Sequence, residues 1–293
     1  MSKPTKKNLA ASVKQRLLNR ANAEIRTLQE LLQYYTMERF LYRLSVSDYS
    51  RLFILKGALT LQLWDVEPRR VTKDIDLLGE QISSEEDVRQ MVEEVATLPV
   101  EDDGMQYFTG TLTVQPITKN TGYPGYRVKL KGGLGKPQIT LQMDIGVGDA
   151  VSPEPDLSLY PVLLDFPAPQ LLVYRRETAI SEKFQAMVHR AEINSRMKDY
   201  YDLWLLRRQF EFVPAELAGA LHATFERRQT ELPTDAAAVF TTELIESLQP
   251  LWVQYHRTHE LGEETQNFRE VVQAIQELLQ PALDWLAESG SRS

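Results

Sequence analysis

The sequence predicts an α+β protein in which a mixed sheet with flanking helices is followed by an all-helical C-terminal region. Three observations predict it. The apolar run Leu52-Phe53-Ile54-Leu55 ends in Lys56-Gly57 and gives way to a helical stretch from Ala58 to Trp64, the order strand, glycine, helix. Between Met105 and Ile145 the side chains alternate, as in Tyr126, Val128, Leu130 and then Ile139, Leu141, Met143, Ile145, the period of half-buried strands. Beyond about Leu171 each segment has a helical apolar period. Pro153, Pro155, Pro161, Pro167 and Pro169 punctuate the passage between the two patterns. The expected division is residues 1–165 for the N-terminal helices and the sheet domain, and 166–293 for the helical domain.

Taken in order, the stretch from Leu9 to Leu44 reads as helix, with Leu28, Leu31, Leu32 and Tyr35 at helical spacing. A strand is expected around Asp74 to Leu78, and Ser83 with Glu86 suggests a capping box for a helix running to about Leu98. The Gly132-Gly133-Leu134-Gly135 tract lies between two alternating segments and predicts a hairpin. It is not a phosphate loop, because Pro137 and then a strand follow Lys136, where such a loop needs Ser or Thr and a helix. Helices are expected at 178–190, 198–209, 214–228, 235–255 and 263–287.

With 293 residues, 43% of them hydrophobic, the chain can bury a sizeable core in two domains. No apolar run is long enough to cross a bilayer and the start is polar and basic, so a cytoplasmic protein with no membrane partner is expected. The lack of cysteine excludes disulfides, a thiol nucleophile and thiolate zinc sites, leaving hard metals such as magnesium. The net charge of −8 argues against nucleic acid, but its distribution does not: from Glu231 onward there are 11 acidic and 3 basic side chains, and the preceding residues are formally neutral. Basic clusters stand in the first twenty residues and at Lys119, Arg127, Lys129, Lys131 and Lys136. They form either a basic face or simply solvated charge on exposed surfaces.

The chemistry centres on Arg70-Val71-Thr72-Lys73-Asp74-Ile75-Asp76-Leu77. On a strand, residues two apart share a face, so Asp74 and Asp76 present two carboxylates together while Ile75 and Leu77 face the core. Adjacent like charges need a cation, and magnesium takes oxygen ligands. Asp144, between Met143 and Ile145, is a third carboxylate on an otherwise apolar strand, costly there without a partner. At Gly57 the absence of a side chain lets backbone N–H groups approach a triphosphate. An isolated Asp-x-Asp is common and usually just solvated; the order of these features gives them weight.

Lys56-Gly57-Ala58, Arg70, Thr72-Lys73-Asp74-Ile75-Asp76, Glu182-Lys183 and Arg196-Met197-Lys198-Asp199-Tyr200-Tyr201-Asp202-Leu203 together resemble the four motifs of the AbiEii/AbiGii toxin family, minimal nucleotidyltransferases of the DNA-polymerase-β-like superfamily. The resemblance covers about residues 50–210. It implies a toxin of a toxin–antitoxin system with a role in phage defence, a transferase dependent on magnesium or manganese that uses a nucleoside triphosphate, a tRNA or other RNA acceptor, and a cognate antitoxin. By it, Asp74 and Asp76 hold metal, with Asp144 as a possible third ligand. Lys56, Gly57, Ala58, Arg70, Thr72 and Lys183 bind the nucleotide, and Asp199 completes the catalytic set of Asp74, Asp76 and Lys183. Ala58 stands where family members usually have Gly or Ser, and Thr72 where some carry a phosphorylatable Ser. The same residues allow a plainer reading, in which Lys198 and Asp202 form a surface pair with Asp199 solvated, and Arg70 is a loop charge.

Other residues carry less. His256 and His259 share a helix face without further ligands, Ser181 and Ser195 have no paired base, and Tyr34, Tyr35, Phe40 and Trp204 suit a core better than a base-stacking platform. The expected function is transfer of nucleotides to a tRNA 3′ end, blocking translation. The alternatives are transfer to a protein side chain or small molecule, or a non-catalytic binding module with the same fold.

Overall fold

The computed structural model describes residues 6–66, 71–117, 125–136, 138–190, 196–259 and 261–290. The chain divides into two compact units, one of residues up to Asp65 with Val71–Gly148 and Asp156–Val173, the other chiefly of Asp149–Pro155 and the chain from Tyr174 onward.

The first unit is a mixed α/β structure. It comprises α1 (Lys6–Ala23), α2 (Leu28–Ser45), β1 (Phe53–Lys56), α3 (Leu59–Leu63), β2 (Asp74–Gly79), α4 (Glu85–Thr97), β3 (Gln106–Pro116), β4 (Gly125–Gly133), β5 (Gln138–Val147), β6 (Asp156–Leu159) and β7 (Gln170–Val173). The strands form one seven-stranded sheet in the order β3-β4-β5-β2-β1-β7-β6. Pairing is parallel between β2 and β5 and between β1 and β7, and antiparallel elsewhere.

Alternation sorts the sheet into two faces. Ile75 and Leu77 of β2, Val128 and Leu130 of β4, and Leu141, Met143 and Ile145 of β5 are buried in one cluster with Phe40 and Leu44 of α2 and Val88, Val92 and Val95 of α4. Asp74, Asp76, Gln142 and Asp144, one residue out of phase, are only half-buried. The predicted hairpin at Gly132–Gly135 is present, with Gly133 opposite Gln138 and Gly135 in the left-handed region at φ +73°.

In this unit three local expectations shift. The single N-terminal helix is two, because Ile25 takes a left-handed conformation and Thr27 caps α2, its hydroxyl accepting from the Glu30 N–H at 3.1 Å. The capping box lies one residue later than predicted, with Ser84 as N-cap and Asp87 as its reciprocal partner, since the Asp87 carboxylate also takes the Ser83 N–H and hydroxyl. The stretch around Leu171 is strand β7, not the start of a helix; an apolar run this short has no period to tell the two apart.

In the second unit the chain after Tyr174 forms α5 (Arg176–Arg190), α6 (Met197–Gln209), α7 (Pro214–Arg227), α8 (Ala236–Val239), α9 (Thr242–Thr258), a 3₁₀ turn at Glu263–Thr265 and α10 (Phe268–Gly290). The helix expected over 235–255 breaks at Phe240, where Thr241 caps α9. Aromatic rings fill the core: Phe184 meets Phe225 at 5.5 Å, Tyr200 meets Phe268 at 5.2 Å, and Trp252 stacks on Phe268 at 5.1 Å while its indole N–H donates to the Thr265 carbonyl. Among the described residues no helix is long and apolar enough to cross a membrane.

Candidate active site

Strand register builds the first group of candidate site side chains. Lys56 on β1 lies opposite Asp76 on β2, Asp76 opposite Asp144 on β5, and Asp144 opposite Arg127 on β4. Partners in register share a face, so the sequence Lys, Asp, Asp, Arg runs straight across four adjacent strands. Asp74 stands two residues before Asp76 on the same face, opposite Gln142.

Each carboxylate has its own restraint. Arg127 grips Asp144 with two hydrogen bonds, Nε to Oδ1 at 2.8 Å and Nη2 to Oδ2 at 2.6 Å. These bonds hold Arg127 still more firmly protonated against the opposing effect of burial, and the charges of Asp74 and Asp76 add to it. The Thr72 hydroxyl donates to Asp74 Oδ1 at 2.6 Å. Thr72 is itself buried, its backbone N–H donating to the Tyr34 hydroxyl at 3.1 Å. Burial pushes the Tyr34 phenol up, so it stays neutral and able to accept. Gln33 of α2 ties the strand ends together by donating to the Lys73 and Thr140 carbonyls.

Gly57 lies directly over Asp76. Its φ of +72° is in the left-handed region, and a Cβ there would overlap the Asp76 carboxylate, 2.7 Å from Cγ. The following helix α3 is only five residues long; the Gly57 carbonyl accepts from the Thr60 hydroxyl at 2.7 Å, and Ala58 is buried at its N-cap. Arg70 lies outside the described residues.

As donors, the three carboxylates suit a hard dication, being oxygen ligands on one face of neighbouring strands. Among the described residues no group of three or more His, Cys, Asp or Glu side chains is arranged to hold a metal as it stands. Both oxygens of Asp144 are taken by Arg127, and one of Asp74 by Thr72.

The second group belongs to the helical unit. Lys183 Nζ on α5 donates to Asp199 Oδ1 at 3.1 Å and Asp202 Oδ2 at 2.8 Å on α6, and Arg196 lies 3.2 Å from the other Asp199 oxygen. Asp199 and Asp202 are buried, so the alternative of an exposed Lys198–Asp202 pair with Asp199 solvated does not hold. Burial would raise the Asp199 pKa, but Lys183 and then Arg196 outweigh it and hold the carboxyl below the usual range. Beside this group, Arg228 bridges Asp149 and Glu182 at 3.1 Å each, and Glu182 accepts from the Tyr174 hydroxyl.

Sequence reasoning missed Arg127, counted only within a basic cluster, and Asp202, considered only as a surface partner. The hairpin held the signal for the first: six residues back along β4 and six onward along β5 from the Gly133–Gln138 pair lead to Arg127 and Asp144. Ser181 donates to the Thr178 carbonyl and shares a hydrogen bond with Thr224, while His256 contacts the Gly262 carbonyl and His259 packs on Tyr255. Tyr34, Tyr35, Phe40 and Trp204 are core residues. Ser195 lies outside the described residues.

The first unit is a mixed α/β fold built on one seven-stranded mixed sheet. The chain is similar to the crystal structure of JHP933 from Helicobacter pylori, with a TM-score of 0.54 at 15% identity over 90% of this chain and 98% of that one. It is also similar to a candidate nucleotidyltransferase from H. pylori, with a TM-score of 0.53 at 16% identity over 88% and 98%. No curated protein matches the sequence. The family model described as nucleotidyl transferase AbiEii toxin, type IV toxin–antitoxin system, matches residues 39–285, and the chain belongs to that family. Membership implies a cognate antitoxin.

Two substitutions probe this geometry. Gly57→Ala is expected to destabilise the chain by about 2 kcal/mol, from the left-handed backbone and the overlap with Asp76; an unchanged urea midpoint would show that the turn and Asp76 are not so close. Asp199→Asn is expected to cost about 3 kcal/mol at pH 7, because it removes the buried carboxylate that Lys183 and Arg196 share. Since the folded pKa lies below the ordinary 3.8, this stability is present above 3.8 and is lost as pH falls through the lower folded value. The thermal midpoints of wild type and variant should therefore differ at pH 7, begin to converge only as pH falls below 3.8, and meet below the lowered folded value; a gap that persists below that value would contradict the ion-pair assignment.

Proposed function

We propose that this chain, as the toxin of its pair, transfers nucleotides from a nucleoside triphosphate to an RNA acceptor, the tRNA 3′ end above all, and so inhibits translation in the cytoplasm. The observation that carries the proposal is the alignment of Asp76 and Asp144 in register, with Asp74 on the same face and Gly57 over Asp76. Membership of the AbiEii family supports it.

In this reading Asp74 and Asp76 would hold magnesium or manganese, with Asp144, paired with Arg127 in this structure, as the third oxygen donor on the same face. The ion, when bound, supplies charge stabilisation at the attacking and leaving oxygens. Thr72 fixes the rotamer of Asp74, and Gly57 keeps the space over Asp76 free of a side chain. Lys56 and Arg127 balance the charge of the row, and Lys183 gives the triphosphate a compact cation whose charge Asp199 and Asp202 maintain. The helices α5–α10 act as the domain that carries Lys183 and Asp199. The acceptor hydroxyl attacks the α-phosphorus in line. A phosphodiester bond forms as the α–β bond breaks, pyrophosphate leaves with the bonding pair, and the hydroxyl proton passes to solvent.

Incubation of wild type and Asp74→Ala with total tRNA, magnesium and each labelled triphosphate in turn tests the proposal on denaturing gels. Label is expected in tRNA and should fall by about a hundredfold or more in the variant. Label found instead in a protein or small-molecule fraction would reassign the acceptor, and label in no fraction would point to a non-catalytic binding module.

A further inference from the structure

The outward face of β3, β4 and β5 differs from the rest of this acidic chain. Along β4, Arg127, Lys129 and Lys131 alternate with buried Val128 and Leu130, so the three cations form one outward column. Residues two apart on a strand are separated by about 7 Å, a step that suits successive phosphates of an extended single strand. The register partners of Lys129 are Thr113 and Gln142, and Thr140 faces Lys131; these are neutral groups able to hydrogen-bond and do not compete with a phosphate. Among the outward positions of these three strands, the one carboxylate is Asp144, and Arg127 holds it. The column therefore begins at the carboxylate row and leads away from it. At its far end Phe108 lies opposite Lys131 on the same face, half-buried, an aromatic ring beside the last cation.

We propose that this face is the docking track for the single-stranded end of the RNA acceptor, with Arg127, Lys129 and Lys131 on successive phosphates and Phe108 under a base. The inference rests on the RNA-acceptor reading given above, and adds to it a surface and a direction. Charge complementarity selects the occupant. A chain of net charge −8 that keeps a column of three cations next to its carboxylate row has a local field opposite to its overall one, and a polyanion delivered along it arrives with its terminal hydroxyl at the carboxylates. The β-strand period explains why lysines two apart, with no sequence code for base recognition, suffice for such a track: phosphate contacts position a strand without reading its bases.

Lys129 and Lys131 are exposed, so Lys129→Gln with Lys131→Gln alters charge without disturbing the core. Binding of a fluorescein-labelled single-stranded oligoribonucleotide to full-length wild type and to the double variant is followed by fluorescence anisotropy between about 50 and 200 mM salt. The variant is expected to bind about tenfold more weakly at low salt, with the slope of log affinity against log salt reduced by about 1.4, as for two lost phosphate contacts. Equal affinity and slope in the two proteins, or no RNA binding by wild type, would overturn the track. RNA binding unchanged while capture of the coexpressed antitoxin falls would assign the face to a protein partner and equally overturn it. Lysine-dependent RNA binding by a wild-type protein that transfers no nucleotide would sink the transferase reading and leave the track standing.

Discussion

Register across four strands sets Lys56, Asp76, Asp144 and Arg127 side by side, and the rest of the site depends on that row. Neighbouring strands are about 4.8 Å apart, close enough for two carboxylates in register to repel, so the arrangement is tolerable only with positive charge at its flanks. Lys56 and Arg127 provide it. The row is held by the opposite face of the sheet: a slip of one residue in β2 or β5 would turn Ile75, Leu77, Met143 and Ile145 to solvent and drive Asp74, Asp76 and Asp144 into the core. The apolar packing of α2 and α4 thus specifies where the carboxylates point. Deleting a methylene from that core therefore loosens the alignment of the carboxylates on the other side of the sheet.

The helical unit solves a related problem by burial. Lys183 sits between Asp199 and Asp202, and Arg228 between Asp149 and Glu182, so each of these cations is bracketed by two carboxylates. Such groups contribute little net stability when intact and cost several kcal/mol when one partner is removed. They are better suited to holding an ammonium group charged and oriented than to stabilising helices, which the aromatic core around Phe184, Tyr200, Trp252 and Phe268 does directly.

Much of this was legible in the sequence where a single period decides. Alternation located β3, β4 and β5 and placed Asp74 and Asp76 on one face, and the cost of an isolated acid between Met143 and Ile145 singled out Asp144. The partners were harder to find, because they come from elements distant in the chain. Tyr34, read as a core residue, also accepts the N–H of Thr72, which in turn orients Asp74. Arg127 required the hairpin register, and Asp202 required seeing that residues three apart on α6 present two carboxylates to the same lysine. Strands β6 and β7 were hidden because four-residue segments, each directly preceded by a proline, carry too little pattern to be distinguished from loop or helix.

The most direct measurement is manganese binding, followed by electron paramagnetic resonance, to wild type and to Asp76→Asn in the presence of a non-hydrolysable triphosphate. If the carboxylate row is a metal-dependent nucleotide site, wild type binds the ion and the variant binds it at least about tenfold more weakly, since one of the few anionic ligands has become neutral. Manganese bound equally by both proteins, or by neither, would contradict it.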